Sequence, residues 1–310
     1  MINSSPGLKY SIVVPVYNSA ASLNELCERI EKSLAEINYE IILVDDSSSD
    51  NGWNIIEELK KKNAGKITGI RLSRNFGQHR AIFCGFTFCK GDFVITIDDD
   101  LQHPPEEIIK LINKQKQEQS DLVYGIYKSK QHSFLRNSGS FFVKKSSNLV
   151  SGNSGKGSSF RLIKKNIIDK IITGNTQSSF YLDEVFYWHT AAFSYVDVEH
   201  HPRKQGKSGY NIFKLIGLYF KIVVNYSASP LKLMTWFGLS FSVASFLLGL
   251  RFIYKKLVHH VPLGYTSIIV TILFSASIIM FCLGIIGQYL YKIYQAQQNK
   301  PPYSIRKILR

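Results

Sequence analysis

Hydrophobic and polar positions divide the chain into two parts with different periods. Over residues 1–200, short β-rich runs at 10–16, 39–44, 66–72, 92–97 and 122–126 alternate with helical stretches at 22–37, 52–62 and 104–117. Strands alternating with helices imply crossover connections, and so an α/β fold with a mostly parallel sheet and ligands at the C-terminal strand ends. Beyond residue 210 the pattern changes. Residues 231–254 are apolar except for Lys232 and Arg251, and at 1.5 Å per residue such a helix is roughly 36 Å long, enough to cross a bilayer. Residues 265–291 carry no charge and are bounded by Tyr265, Tyr289 and Tyr291, as interfacial aromatics would be. The short loop at 255–264 makes the two spans a hairpin that returns the chain to its starting side. Just ahead of it, Phe213, Ile216, Phe220 and Val223 fall at helical spacing, with Lys214 and Lys221 on another face. That predicts a helix lying in the membrane interface, with Pro230 marking the turn inward. The expected organisation is an α/β domain over 1–210, an interface helix over 211–230, a transmembrane hairpin over 231–291 and a basic tail over 292–310.

Composition narrows the class. With 310 residues, 45% hydrophobic and 20% charged, the chain is neither a disulfide miniprotein nor a disordered polymer. The net charge of +15 points to a polyanion or an anionic membrane, and its distribution decides between them. Of the 38 Lys and Arg, 14 follow Glu199, whereas none of the 23 acidic residues do; the first 199 residues thus carry 24 minus 23, or +1, and the rest carry +14. A near-neutral α/β domain without a basic-aromatic module argues against nucleic acid as a partner. Cys27, Cys84, Cys89 and Cys282 form no CxxC pair and suit reduced thiols. The first residues lack a basic flank followed by a long apolar run, so no signal peptide is expected and the N-terminal domain should stay in the cytosol. The positive-inside bias of Lys292, Lys300, Arg306, Lys307 and Arg310 agrees with this, although Lys255 and Lys256 in the hairpin loop oppose it.

Candidate chemistry lies where such a sheet would place it. Asp45 and Asp46 directly follow the run IILV, and Asp98, Asp99 and Asp100 follow FVITI. Alternate residues of an extended segment point the same way, so Asp98 and Asp100 can face one ligand. With Gln102 close by, they make a hard-oxygen site suited to Mg2+ or Mn2+ bridging a diphosphate. His79, His103, His200 and His201 are scattered among these segments without metal-ligand spacing and read as structural groups.

The segments VVPVYN (13–18), VDDSSSD (44–50), SRNFGQH (73–79), GDFVITIDDDLQHPPEEI (91–108), FRL (160–162) and RKQGKSGY (203–210) occur in an order that resembles glycosyltransferase family 2. The resemblance is to its polyprenyl-phosphate sugar transferases: dolichol-phosphate mannose synthases, bactoprenol glucosyltransferases and undecaprenyl-phosphate aminoarabinose transferases. It extends through both apolar spans. It implies a GT-A fold on the cytosolic face of the membrane, a nucleotide-sugar donor, a divalent metal, Mg2+ or Mn2+, and a polyprenyl phosphate acceptor. By the same resemblance Pro15 and Tyr17 line the base pocket, Asp45 or Asp46 reads the base or ribose, and Asp99 belongs to the donor site. Asp98, Asp100 and Gln102 hold the metal, and Arg161 contacts the acceptor phosphate or the donor. Arg203, Lys204 and Lys207 approach phosphates in a loop shaped by Ser208 and Tyr210.

Arg suits bidentate phosphate contact, and Gly206 and Gly209 would let that loop fold over a ligand. A lipid phosphate monoester is already largely anionic at neutral pH, its second pKa being about 6, so it can attack the anomeric carbon without a base. Several relatives carry an acidic residue just before FRL, where this chain has Ser158 and Ser159; Asp183 and Glu184 are the substitute candidates, with Asp183 named as the base for a hydroxyl acceptor. Ser47 stands where relatives usually have glycine. Two alternatives share these residues: transfer to a hydroxyl of a lipid-linked glycan, and a non-catalytic nucleotide-sugar-binding subunit. Gly238, Gly249 and Gly284 would let two hairpins associate, so a homo-oligomer is compatible with the spans.

Overall fold

The structure, a computed structural model, describes residues 9–127, 158–174, 182–199, 201, 229–259, 264–298 and 301–310. They fall into two compact units, a mixed α/β unit and a helical hairpin. The interface helix expected over 211–230 lies outside the described residues, apart from its last two positions.

In chain order the α/β unit comprises β1 (Tyr10–Val16), α1 (Ala20–Ser33), β2 (Tyr39–Asp45), α2 (Gly52–Lys62), β3 (Ile67–Leu72), α3 (Gln78–Phe86), β4 (Phe93–Thr96) and a 3-10 turn (Pro105–Glu107). There follow α4 (Ile108–Glu118), β5 (Leu122–Ile126), β6 (Arg161–Lys164), α5 (Lys165–Thr173), α6 (Leu182–His189) and β7 (Phe193–Asp197). One eight-stranded sheet runs in the order β7-β5-β6-β4-β1-β2-β3-β8, where β8 (Ile305–Leu309) comes from the C-terminal end of the chain. The central pairings β1–β2, β1–β4 and β2–β3 are parallel. β6 runs antiparallel to both β4 and β5, and β8 antiparallel to β3.

All seven residues of β1 and all seven of β2 are buried, as expected of parallel strands covered on both faces. The strand period of two splits them between two cores. Ile12, Val14, Val16, Ile41 and Leu43 meet α1, α2 and α4 through Leu26, Ile30, Ile56 and Leu111. Val13, Ile42 and Val44 meet α3, α5 and α6 through Ile82, Phe86, Ile168 and Phe186. Helix α3 seats so closely that a Cβ on Gly85 would stand 2.4 Å from Val13 Cγ1. Such packing brings the C-terminal ends of β1, β2 and β4 to one edge of the layer.

Helix α1 begins two residues before its expected start and ends at Ser33, because Leu34 and Ile37 enter turns closed by bonds to Ile30 O and Leu34 O. The tail expected over 292–310 needs a larger correction. The second hairpin helix continues to Gln297, and residues 305–309 form a sheet strand. Around this strand Ser73 N–H donates to Ser304 O at 2.8 Å, Lys307 Nζ reaches Glu57 Oε1 at 2.7 Å and lies over the Trp53 ring, and Tyr303 packs edge-on against Phe83. Ile305 and Leu309 are partly covered while Arg306, Lys307 and Ile308 are exposed, as suits a short, charged edge strand.

The second unit holds α7 (Ser229–His259) and α8 (Tyr265–Gln297), whose contact includes Phe241 against Phe274 at 5.8 Å between ring centroids. Both expected spans lie within these helices. Among the described residues one segment, Phe274–Tyr291, is long and apolar enough to cross a membrane, and Met234–Leu248 is a shorter apolar stretch. Trp236, Phe237, Phe246, Met280 and Phe281 are all exposed, an apolar surface that water does not favour.

Deleting residues 301–310 should strip the cover from β3. The expected result is a fall of about 5 °C in the unfolding temperature of the α/β unit, equivalent to about 2 kcal/mol. A truncated protein whose melting curve in detergent matches that of the full chain would show that β8 adds nothing to the sheet.

Candidate active site

A cavity of about 630 Å3 opens at the C-terminal ends of β1, β2 and β4. Pro15, Val16 and Tyr17 form one wall, Ser19, Ser22 and Glu25 another, and Asp46, Gly77, Gln78 and Asp98–Leu101 the rest. Tyr17 is half exposed, an aromatic face available to a ligand. The position is where ligands bind in open parallel sheets.

The three consecutive carboxylates are held in three different ways. Asp98 accepts from Gln78 Nε2 at 2.5 Å on one oxygen and from Ser159 Oγ at 2.6 Å on the other. Asp99 turns toward the loop after β1, where its carboxylate accepts the Tyr17 N–H at 3.0 Å and the Ser19 hydroxyl. Ser22 Oγ donates to the Asp99 carbonyl at 2.6 Å, completing the tie between the two loops. Asp100 Oδ1 accepts the Gln102 amide at 3.1 Å across a turn in which Leu101 has φ +58°. Burial pushes the Asp98 carboxyl up to about 6; the Ser159 bond opposes this and the charges of Asp100 and Asp99 reinforce it. Asp99 is raised too, chiefly by burial.

Asp45 and Asp46 are neighbours with different surroundings. Asp45 is fully buried, lies 3.1 Å from Arg71 Nε and accepts the Ser48 N–H at 3.0 Å. It does not line the cavity. Asp46 does, while its two oxygens accept the N–H groups of Phe76 and Gly77 at 2.7 and 2.8 Å. This pins the loop that enters α3, where Gly77 adopts φ +92°, a conformation open to glycine and strained for other residues. Burial raises the Asp46 carboxyl despite those two bonds. Ser47, φ +60°, occupies the left-handed region that glycine adopts without strain.

A second, smaller cavity of about 200 Å3 shares Gln78 and Asp98 with the first and is completed by His79, Ile82, Ser158, Ser159, Arg161 and Asp183. Arg161 is 1% exposed; its guanidinium pairs with Asp183, its Nε–H donates to Thr96 Oγ1 at 3.3 Å, and its plane lies over the Phe186 ring at 4.9 Å. Tyr124 OH donates to the same Asp183 oxygen at 3.0 Å. His79 is held below the ordinary histidine range, first by burial and then by the Arg161 charge. His103 stacks on Phe160 at 5.1 Å.

Of the residues singled out in the sequence, Pro15, Tyr17, Asp46, Asp98, Asp99 and Asp100 share the large cavity, and Arg161 and Asp183 share the small one. Asp45 and Gln102 line neither. Arg203, Lys204, Lys207, Ser208, Tyr210 and His200 lie outside the described residues, as does the Glu184 side chain. Sequence reasoning missed Gln78, although it stands inside the SRNFGQH segment, and noted Ser159 only as a missing acid. Ser19 and Ser22 carried no signal, since short hydroxyl residues before a helix are ordinary.

Among the described residues, no group of three or more His, Cys, Asp and Glu side chains converges as a ready-made metal site. The donor chemistry nevertheless fits a hard divalent cation. Asp98, Asp99 and Asp100 face one cavity, and burial, reinforced by the neighbouring charges, disfavours the Asp98 anion that a cation would stabilise.

Comparison with known proteins identifies the family. Residues 11–184 match the family model Glycosyl transferase family 2, and residues 229–293 match a second model, GtrB C-terminal hairpin. An undecaprenyl-phosphate 4-deoxy-4-formamido-L-arabinose transferase of Shewanella sediminis (strain HAW-EB3) is 35% identical over 311 residues, covering 96% of this chain and 92% of the relative. The enzyme of the same name from Proteus mirabilis (strain HI4320) is 34% identical, covering 97% and 94%. Among solved structures, glucosyl-3-phosphoglycerate synthase from Mycobacterium tuberculosis, in complex with Mn2+, uridine diphosphate and phosphoglyceric acid, is 14% identical with a TM-score of 0.49, covering 70% of this chain and 77% of that one.

The raised Asp98 carboxyl sets a pH dependence. Its proton is held until the pH exceeds about 6, so a cation competes with it below that value. Mn2+ affinity measured by titration should be full above this pH and fall on acidification through it. The same shift makes Asp98 favour the metal-free fold as the pH drops from about 6 toward the ordinary carboxylate range. Mn2+ affinity independent of pH across this window would rule out Asp98 as a ligand.

Proposed function

Because the chain belongs to glycosyltransferase family 2, we propose that this enzyme of GT-A fold moves one sugar, with inversion, from a nucleotide donor to a polyprenyl phosphate at the cytosolic membrane face. The observation that carries this reading is the carboxylate turn Asp98–Asp100 facing a nucleotide-sized cavity at the strand ends. Near-full-length likeness to undecaprenyl-phosphate sugar transferases, hairpin included, supports the acceptor class.

The nucleoside stacks against Pro15 and Tyr17, with Asp46 fixing the loop above it. The donor diphosphate faces Asp98, Asp99 and Asp100. A divalent cation bound there, Mg2+ or Mn2+, would neutralise the negative charge that develops on the leaving diphosphate. The basic segment 203–210 is assigned to the same phosphates. The acceptor enters beside the smaller cavity, close to Asp98. Its phosphate oxygen is largely ionised at neutral pH, the second pKa of such a monoester being about 6, so it can displace the diphosphate without surrendering a proton to the protein. Asp183, paired with Arg161, is not needed as a base.

The strand β8 supports an even number of membrane crossings. It follows α8 yet belongs to the same sheet as strands that precede α7, so α7 and α8 either both cross or neither does. Two crossings keep the basic C-terminal residues and the catalytic sheet on one side, in agreement with the positive-inside rule.

Purified full-length protein with Mg2+ or Mn2+ and undecaprenyl phosphate should convert one member of a labelled nucleotide-sugar panel, 4-deoxy-4-formamido-L-arabinose donors included, into a chloroform-extractable glycolipid. Asp100→Ala should lower that rate by about 100-fold or more. Donor binding without glycolipid from any member of the panel would instead identify a binding subunit. Full activity in Asp100→Ala would refute the role given to the turn.

A further inference from the structure

Asp98 is held at the end of a hydrogen-bond chain that begins three elements away. Tyr124, on β5, is fully buried, and its hydroxyl donates to Asp183 at the start of α6. The Asp183 carboxylate holds the guanidinium of Arg161, the first residue of β6. Arg161 Nε–H donates to Thr96 Oγ1 at 3.3 Å, and Thr96 uses its own proton on the Ser159 carbonyl at 2.5 Å. A hydroxyl has one proton, so this order of donors is fixed. Ser159 then donates its Oγ–H to one Asp98 oxygen at 2.6 Å, while Gln78 Nε2 donates to the other at 2.5 Å. Thr96 is also two residues before Asp98 on the strand that delivers it, so the network grips both the carboxylate and its backbone.

From this arrangement we infer that Tyr124, Asp183, Arg161, Thr96, Ser159 and Gln78 are positioning residues for Asp98, and that Asp183 acts through Arg161 rather than as a general base. The inference rests on the proposed transferase reading for its catalytic consequence, though not for its structural content. Serine at 159 then has its own reason: an acidic residue there would bring another negative charge against Asp98, whereas a hydroxyl supplies the proton that Asp98 accepts. Asp183 is likewise suited to its place. Removing it would leave the buried Arg161 cation uncompensated, and its Oδ1 already accepts from both Arg161 and Tyr124.

The test uses the full-length protein and two readouts, Mn2+ binding followed by the electron paramagnetic resonance of the free ion, and glycolipid turnover. Thr96→Val and Ser159→Ala should each weaken Mn2+ binding by about 10-fold, the usual scale for groups that orient a ligand. Thr96→Ser, which keeps the hydroxyl, should restore binding to near the wild-type value. Asp183→Asn, whose amide oxygen can still accept from Tyr124 and Arg161, should keep turnover within about 10-fold of wild type, whereas loss of a general base would cost about 100-fold or more with Mn2+ binding intact. That last pattern, or wild-type Mn2+ binding in both Thr96→Val and Ser159→Ala, would overturn the inference. If Asp183→Asn loses its cooperative unfolding transition, the Thr96→Val and Thr96→Ser pair decides the matter. Failure of the wild-type protein to form any glycolipid would sink the transferase reading alone, because the Mn2+ titrations would still decide the positioning role.

Discussion

Placing three carboxylates in succession on a turn at the end of a buried strand is unfavourable twice over, through lost hydration and through mutual repulsion. The surrounding elements are arranged around that expense. Ser159 and Gln78 satisfy Asp98, Ser19 and the Tyr17 amide satisfy Asp99, and the turn itself satisfies Asp100 Oδ1. The partners come from four segments, so the loops after β1 and β4, the start of α3 and the approach to β6 are bound to one another through acidic side chains. Burial keeps the Asp98 carboxyl raised even so, and a cation bound there would stabilise its anion.

The sheet makes this arrangement rigid. Strands buried on both faces cannot slip by one residue without turning apolar side chains from one core to the other, and the close seat of Gly85 on Val13 fixes α3 against β1. Gln78, at the start of that helix, therefore reaches Asp98 from a framework with little freedom. Asp45 contributes from beneath, where Arg71 joins it to β3, and Asp46 contributes from above by capping the Phe76 and Gly77 amides.

Much of this could be read from the chain before its structure was known. The runs YSIVVPV and YEIILVD are too continuously apolar for half-exposed strands, and the acidic groups that follow them fall at the ligand-binding edge. What escaped the sequence had physical causes. Asp45 and Asp46 are adjacent, so a strand sends them to different surroundings, and their order of use depends on which side Arg71 occupies. β6 and β7 are short strands of four and five residues paired across long sequence separations, and their local pattern does not reveal their partners. The family resemblance gives Arg161 a phosphate to contact, and the structure adds a partner that the sequence did not reveal, the protein's own Asp183. The C-terminal strand was hidden by its charge, since Arg306, Lys307 and Arg310 read as a solvated tail when the Trp53 ring and Glu57 are out of view.

The last strand also has a bearing on biosynthesis. The sheet that carries the carboxylate turn is closed at the β3 edge by residues 305–309 of a 310-residue chain. During synthesis from the N-terminus, every other strand and both long helices leave the ribosome before this one. Until residues 305–309 emerge, β3 presents an open edge of the kind that pairs with other chains. Closure of the sheet at this edge thus waits for the chain beyond both long helices to be made. A product that stops before residue 305 would lack the strand that seals the sheet.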